Sequence, residues 1–517
     1  MKTNVVCILA AGKGTRNTYC TDLHKALLPV MNKPMISHII DTFKNARIVI
    51  AVGNKKEQII SYLEAIHPNR NITFVNVDNF DKEGSGPGHS LLCCKPHLQT
   101  QFICVPADNF IVDKIDTNFT QDWVGAFLIK PNKNDNFCLI DGHNIVNKFY
   151  YGIGDKIFNG VIGISDYKSF WKSLEISTLV NNEKQTIGGL KHPHIIYFDH
   201  FYDTGTTENY MNTIEKYSGK IVFEKNKEFI FIDNDRVVKF ISDKNVLSNK
   251  LKRTEYLPKN TIPKIFQIDD NMYYYKYING TLLSEVNDVN IFRNFLEFYK
   301  RNFLNKKFNS TSEFRNNCSK MYYKKTIDRV KTIQNTELES VQTINGKNTL
   351  KLDEIIQSIN WDEIVDNAIP SLFHGDLQPE NILWTGKKFQ LIDWRESFNN
   401  NLQIGDAYYD ISKLLHGLLI NGKLMLNKQY EISIMDEKCE INFLRKNNLD
   451  NFIFEFRNFC EQNGLNYNHV IKITGLQYLN VCSIYTEKNY KYFEFLYMLA
   501  KYLLTDSLSS TKEIKLC

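Results

Sequence analysis

Two groups of residues in this 517-residue chain have the types and spacing that phosphate chemistry demands. One lies in Phe373-His374-Gly375-Asp376-Leu377-Gln378-Pro379-Glu380-Asn381, followed by Leu391-Ile392-Asp393-Trp394-Arg395. Phosphoryl transfer needs an acceptor for a hydroxyl proton and oxygen ligands for Mg²⁺. An aspartate, a nearby asparagine and a second aspartate in an apolar strand offer both. Upstream, Lys239 in Val237-Val238-Lys239-Phe240 reads as a strand lysine that grips nucleotide phosphates, with Glu255 as its ion-pair partner on the next helix. Alone, Lys239 would be an ordinary strand-end lysine; the three downstream residues reverse that reading.

The other group opens with Leu9-Ala10-Ala11-Gly12-Lys13-Gly14-Thr15-Arg16. Glycine lacks a Cβ, so such a loop brings backbone amides against phosphates. Lys13 and Arg16 add charge, and Lys25, in His24-Lys25-Ala26-Leu27-Leu28-Pro29-Val30, reaches back to the same place. Asp108 ends the run Val105-Pro106-Ala107, where an α/β sheet presents its ligands, and Asp203 in Tyr202-Asp203-Thr204-Gly205-Thr206 supplies a second acid. Two hard carboxylates suit Mg²⁺ carried by a triphosphate, because that ion keeps waters and phosphate oxygens as its other ligands.

These residues need a scaffold. Up to about residue 215, β-branched runs at 5–10, 47–52, 72–77 and 102–106 alternate with helical patterns at 34–45, 55–66 and 87–98, the sequence form of βαβ units and a mainly parallel sheet. Near Lys220 the pattern changes to closely spaced strands at 221–224, 229–232 and 237–241, with turns at 225–226 and 233–235. This marks a second domain, mainly helical after about 285. The polar, lysine-rich stretch 300–360 is expected to form surface helices and not a functional basic patch.

Composition narrows the classes. Sixty-three basic and 58 acidic residues leave +5, with no run of like charge, so nucleic acid is not an implied partner. At 43% hydrophobic and 23% charged, the chain is neither disordered nor fibrous. The eleven cysteines are odd in number and lie largely in apolar contexts, which points to reduced core thiols. No window approaches a membrane span, and a cytoplasmic protein is expected.

The first group resembles the sugar-phosphate nucleotidylyltransferase family over about residues 1–215. That resemblance implies that Ala11, Gly12, Gly14 and Thr15 bind the nucleotide, that Arg16 and Lys25 act on the charge of the transition state, and that Asp108 and Asp203 hold Mg²⁺. It further implies that Gly86 and Gly88, in Gly84-Ser85-Gly86-Pro87-Gly88, meet the base and that Lys148 holds the acceptor phosphate. His24 stands where the family usually has proline. Residues 221–505 resemble the aminoglycoside phosphotransferase and choline kinase group, by which Asp376 is the catalytic base, Asn381 and Asp393 hold Mg²⁺, Lys239 contacts ATP and Tyr277, in Tyr275-Lys276-Tyr277, lies at the adenine hinge. Asp410 is expected to brace the catalytic loop. The implied architecture is α/β: a Rossmann-like nucleotidylyltransferase domain (1–219), then a bilobal α+β kinase-like domain (220–517) with lobes at about 220–280 and 281–505.

A kinase makes a phosphate monoester and a nucleotidylyltransferase consumes one. The expected protein is therefore bifunctional, phosphorylating a small alcohol or sugar with ATP and then transferring a nucleotidyl group from an NTP to make an activated precursor for surface polysaccharide. Similarity to fused phosphocholine cytidylyltransferase and choline kinase proteins favours CTP, whereas Arg395 beside Asp393-Trp394 disfavours the cation choline. A choline-specific enzyme, and a nucleotidylyltransferase with a degenerate kinase-like module, are the alternatives.

Overall fold

The computed structural model describes residues 4–180, 183–218, 227–333, 336–420, 422, 424 and 427–508. The strand expected at 221–224 and its turn at 225–226 lie outside them. The chain divides into two compact units. One runs to Lys244 and includes Phe266–Tyr277; the other comprises Asn245–Ile265 and the chain from Ile278 onward.

In the first unit the strands Val5–Ala10, Arg47–Val52 and Phe102–Pro106 form at the residues where β-branched side chains run together. The sheet has the order His194–Phe198, Trp123–Gly142, Val146–Ile164, Phe102–Pro106, Val5–Ala10, Arg47–Val52, Ile72–Asn76. Val5–Ala10 pairs in parallel with both neighbours and is covered on both faces, which explains its unbroken apolar run. Its alternate residues feed two cores: Val6 and Ile8 join Ile39 and Leu63 on one face, while Val5 and Cys7 join Leu91 and Trp171 on the other. Val146–Ile164 is antiparallel to its neighbours, so the sheet is mainly but not wholly parallel. The loop beginning at Ala11 and the turn at Asp108 leave the C-terminal ends of adjacent parallel strands.

The pattern change near residue 220 does not coincide with the edge of this unit. Glu228–Asp233, Arg236–Ile241, Met272–Lys276 and Phe266–Gln267 form a four-stranded antiparallel sheet. Its Phe229, Phe231, Val238, Phe240 and Met272 share one core with Ile39, Tyr62 and Leu63. A buried ionic centre fixes the register: Asp233 Oδ2 accepts from Tyr62 Oη at 2.9 Å and lies 3.0 Å from His67 Nε2, while the Lys33 ammonium stands 3.2 Å from Oδ1. Burial acts to raise the Asp233 pKa, but His67, Ser37 and Lys33 outweigh it and hold the carboxyl well below its usual range.

The second unit is mainly helical, built around Ala407–Leu419, Tyr467–Cys482 and Tyr490–Leu508. The stretch expected to be surface helices instead packs Phe314, Cys318, Met321 and Tyr322 into the core. Pro370–Leu372 pairs with Ile404–Asp406 and delivers the chain into the loop that carries Asp376. That loop is braced twice. Asp410 accepts from the His374 and Gly375 amides at 2.6 and 2.7 Å. The buried Arg253 donates to the carbonyls of Phe373 (2.5 Å), Leu402 (2.9 Å), His374 (3.3 Å) and Arg395, and its guanidinium covers the Phe373 ring. Gly375 has φ 88°, and a Cβ there would stand 2.5 Å from that of Arg395, so this position needs glycine. The described cysteines are free thiols, and among the described residues no helix is long and apolar enough to cross a membrane.

Replacing Asp233 with Asn should destabilise the first unit by about 3 kcal/mol, because a buried ion pair loses one partner. A urea midpoint unchanged by D233N would show that the centre does not hold the sheet. Burial pushes Asp410 up to about 7, whereas in an unfolded chain an aspartate ionises near pH ~4. The folded state therefore holds the proton longer, so this group's contribution to stability falls as pH rises from ~4 to ~7 and is level above that. D410N should flatten that slope while costing about 1–3 kcal/mol, as one loop amide loses its acceptor. Thermal melts across this pH range would read it, and equal slopes in the two proteins would mean that Asp410 ionises normally.

Candidate functional site

The first-unit centre is assembled around Gly14, which adopts φ 66° and lets the Lys25 stem lie against it, 2.9 Å from where a Cβ would be. Lys25 begins the short turn Lys25–Leu27, capped by His24, whose Nδ1 accepts from the Ala26 amide at 3.0 Å. Burial, with the Lys25 and Lys55 charges, pushes the His24 imidazole down to about 3, so it stays neutral and serves as a cap in place of proline's rigidity. The Lys25 ammonium reaches Asp108 Oδ2 at 2.7 Å. Burial alone would raise Asp108, but Lys25 and then Arg16 hold its carboxyl below the usual range.

Asp203 completes the group. Thr204 donates to the Asp108 carbonyl through both its amide and its hydroxyl, each at 2.8 Å, which ties the two acidic segments together. A Cβ at Gly205 would sit 2.9 Å from Asp203 Oδ1, 3.2 Å from Asp108 Oδ2 and 3.5 Å from Arg16 Nη2, so bare glycine leaves an open cradle among two carboxylates and a guanidinium. Burial and the Asp108 charge push the Asp203 carboxyl up. Two carboxylates that repel in this way suit a hard divalent cation, and the donor set fits Mg²⁺.

In the second unit, Asp376 Oδ1 accepts from Gln378 Nε2 at 3.0 Å and stands 3.4 Å from the Lys413 ammonium. Asn381 Nδ2 donates to the Asp376 carbonyl at 2.9 Å and to Oδ2 at 3.1 Å, so its amide oxygen is not used in either bond. Burial works to raise Asp376, yet Lys413 outweighs it and the carboxyl sits below its ordinary value, ionised and ready to take a proton. Asp393 has φ 58°, and its Oδ1 lies 3.2 Å from Lys250 Nζ, which also donates to the Trp394 carbonyl at 2.6 Å. Asn381 and Asp393 are the residues here that would hold Mg²⁺.

Lys239 is buried on Arg236–Ile241 and Tyr277 is exposed just beyond Met272–Lys276, both in the first unit. Glu255 is exposed beyond the helix Lys244–Arg253, which contains no acid. Gly86 and Gly88 meet the backbone of 184–185, where a Cβ would approach within 2.9 and 2.7 Å. Thr15 is exposed, Ala11 is buried, and nothing lies within 4 Å of a Cβ at Gly12. Lys148 lies near the tip of the long hairpin, its ammonium 5.7 Å from the Tyr150 ring centre, and no described contact joins it to Lys25 or Asp108. Lys250, Arg253 and Lys413 escaped sequence reasoning, because a helix lysine or arginine without a local partner looks like a solvated face.

Residues 6–126 match the MobA-like NTP transferase domain, and residues 334–430 match the phosphotransferase enzyme family. Among curated relatives, the bifunctional protein GlmU of Methanococcus maripaludis is 31% identical over 137 residues, covering 26% of this chain and 31% of that protein. GlmU from another strain of the same species is 29% identical over 167 residues, covering 31% and 39%. The chain thus spans only 31% to 39% of the length of these relatives. Similar solved structures include UDP-glucose pyrophosphorylase complexed with UDP-glucose (TM-score 0.37, 17% identity, covering 42% of this chain and 99% of that one). Another is CTP:phosphocholine cytidylyltransferase from Streptococcus pneumoniae (TM-score 0.35, 19% identity, covering 41% and 99%). The chain therefore joins a domain of the MobA-like NTP transferase family to a domain of the phosphotransferase enzyme family.

Proposed function

We propose that the protein phosphorylates a small alcohol or sugar with ATP at Asp376 and then transfers a nucleotidyl group, with CTP the first candidate donor, to the phosphate ester at the Lys25–Asp108 centre. The observation that carries this reading is the presence in one chain of two centres, each with an ionised carboxylate held by a lysine: Asp108 by Lys25 at 2.7 Å and Asp376 by Lys413 at 3.4 Å. An NDP-linked product would suit surface polysaccharide assembly in the cytoplasm.

For phosphoryl transfer, the hydroxyl oxygen attacks the γ-phosphorus of ATP, ADP leaves, and Asp376 accepts the hydroxyl proton. For nucleotidyl transfer, an oxygen of the monoester attacks the α-phosphorus and pyrophosphate leaves. Lys25 and Arg16 then face the charge that gathers on the phosphate oxygens, so positioning and electrostatics carry the rate. Mg²⁺ at Asp108 with Asp203, and at Asn381 with Asp393, would neutralise phosphate charge. Each pair leaves coordination positions for water and phosphate oxygens, as this ion prefers. Thr15, Gly12, Ala11, Gly86 and Gly88 would bind the first nucleotide, Lys148 the acceptor phosphate, and Lys239, Glu255 and Tyr277 would serve ATP.

Two observations favour the alternative of a degenerate kinase-like module: Lys250 stands 3.2 Å from Asp393, and its helix offers no acid to a phosphate-gripping lysine. ADP release decides between the two. In a screen of NTPs and phosphate esters for pyrophosphate, and of the parent alcohols with ATP for ADP, D376N should lose ADP release by about 100-fold or more, the usual contribution of a general base. Pyrophosphate formation from a supplied ester should persist in that variant. Conversely, K25M should lose pyrophosphate formation by about 100-fold through lost charge stabilisation, with ADP release retained. ADP release that survives D376N, or pyrophosphate release that survives K25M, would remove the corresponding assignment.

A further inference from the structure

The second unit contains a cavity of about 80 Å³, several times the ~10–15 Å³ that one water needs, and its wall is linked to Asp376 through Lys413. Lys413, whose ammonium contacts Asp376, is part of its wall, together with Tyr409, Lys325 and Arg329. Arg395 donates to Tyr409 Oη at 3.1 Å and so brings a fourth cation to the same place. Among the described residues, few counter-charges stand near these cations. Asp376 faces Lys413, Glu396 lies 3.7 Å from Arg395, and Arg329 donates to the neutral Ser483 hydroxyl at 3.1 Å. A Tyr409 oxyanion would raise Lys325, but burial and the Arg395, Lys413 and Arg329 charges outweigh it and hold that ammonium below its usual range. Like charges gathered at partly buried positions mark a place prepared for an anion. The wall also includes two amides, Gln477 and Asn480, each with a buried side-chain oxygen that has no hydrogen-bond partner among the described residues. Such oxygens accept from hydroxyl groups. The lysine-rich stretch that sequence reasoning assigned to solvated helices supplies Lys325 and Arg329 to this wall.

We propose that this cavity is the acceptor site of the phosphotransferase reaction and that it takes an alcohol bearing its own carboxylate or phosphate, bound by Lys325, Arg329 and Lys413 with its reacting hydroxyl at Asp376. The proposal rests on the phosphotransferase reading above and deepens it by naming the charge of the substrate. The oxygen–phosphorus bond forms at the γ-phosphoryl group, and the bond to the ADP oxygen breaks with its electron pair. The hydroxyl proton passes to Asp376 and then to water. Gln477 and Asn480 would select among acceptors by their further hydroxyls, and a cation such as choline would be rejected.

The test uses the full chain with ATP and Mg²⁺ and four probes: glycerol, glycerate, glycerol 3-phosphate and choline. ADP release should show kcat/KM for glycerate or glycerol 3-phosphate at least tenfold above that for glycerol, with choline lowest, and the better anion tells carboxylate from phosphate. In the K325M/R329M double variant that ratio should fall toward unity through KM and not kcat. Preference for glycerol or choline in the wild-type chain overturns the proposal without any need for the variant to fold. Calorimetric titration of the two anions into D376N separates the two failures. Anions that bind D376N but not D376N/K325M/R329M, with no ADP release from any probe, would sink the phosphotransferase reading and leave the anion site standing. Turnover of neutral alcohols with no anion binding would sink the anion site alone.

Discussion

Taking a carboxylate out of water is costly unless a cation stands beside it, and both centres are arranged around that constraint. A neutral Asp108 would not attract a metal ion, and a neutral Asp376 would not take a proton. Each is kept charged by one lysine, and much of the surrounding architecture serves to hold that lysine or its partner in place. The buried His24 cap and the left-handed Gly14 aim Lys25. The Asp410 and Arg253 braces fix the loop from which Asp376 projects, while Lys413 comes from the helix that also bears Asp410.

The two pairs differ in what surrounds them. At the first, Asp203 adds a second carboxylate and Arg16 a second cation, so charges of both signs crowd a small open cradle. At the second, the acids Asp376 and Asp393 each have a lysine, and Lys325 and Arg329 share a cavity wall with one of those lysines. Clustered cations concentrate positive field locally, even in a chain whose net charge is only +5.

Much of the fold was legible because the signals are local. Val5–Ala10, Arg47–Val52 and Phe102–Pro106 are β-branched runs bounded by loops, and they form strands at the expected residues. The residue types proposed for chemistry were legible for the same reason, since Asp376 and Asn381 lie in one short loop. What escaped depends on contacts between distant segments. Arg253 finds its carbonyl acceptors more than a hundred positions away, and nothing in Leu251-Lys252-Arg253 distinguishes it from a solvated basic helix end. Lys325 and Arg329 likewise looked like surface charge, because only tertiary structure puts Tyr409 and Lys413 beside them. Hydrophobic periodicity was equally silent about Asp233, one of two acids in the expected turn, which becomes the anchor of a sheet.

That anchor has a consequence for how the protein is made. The core of the first unit is unfinished until Phe229, Phe231, Val238, Phe240 and finally Met272 have been added to it. During vectorial synthesis, a nascent chain that stops where the sequence pattern changes would present an open apolar face. Its first enzyme domain could not close until part of what looks like the second had emerged. The order of translation thus obliges the two families to mature together, and recombination that cut between them at the visible seam would separate neither cleanly.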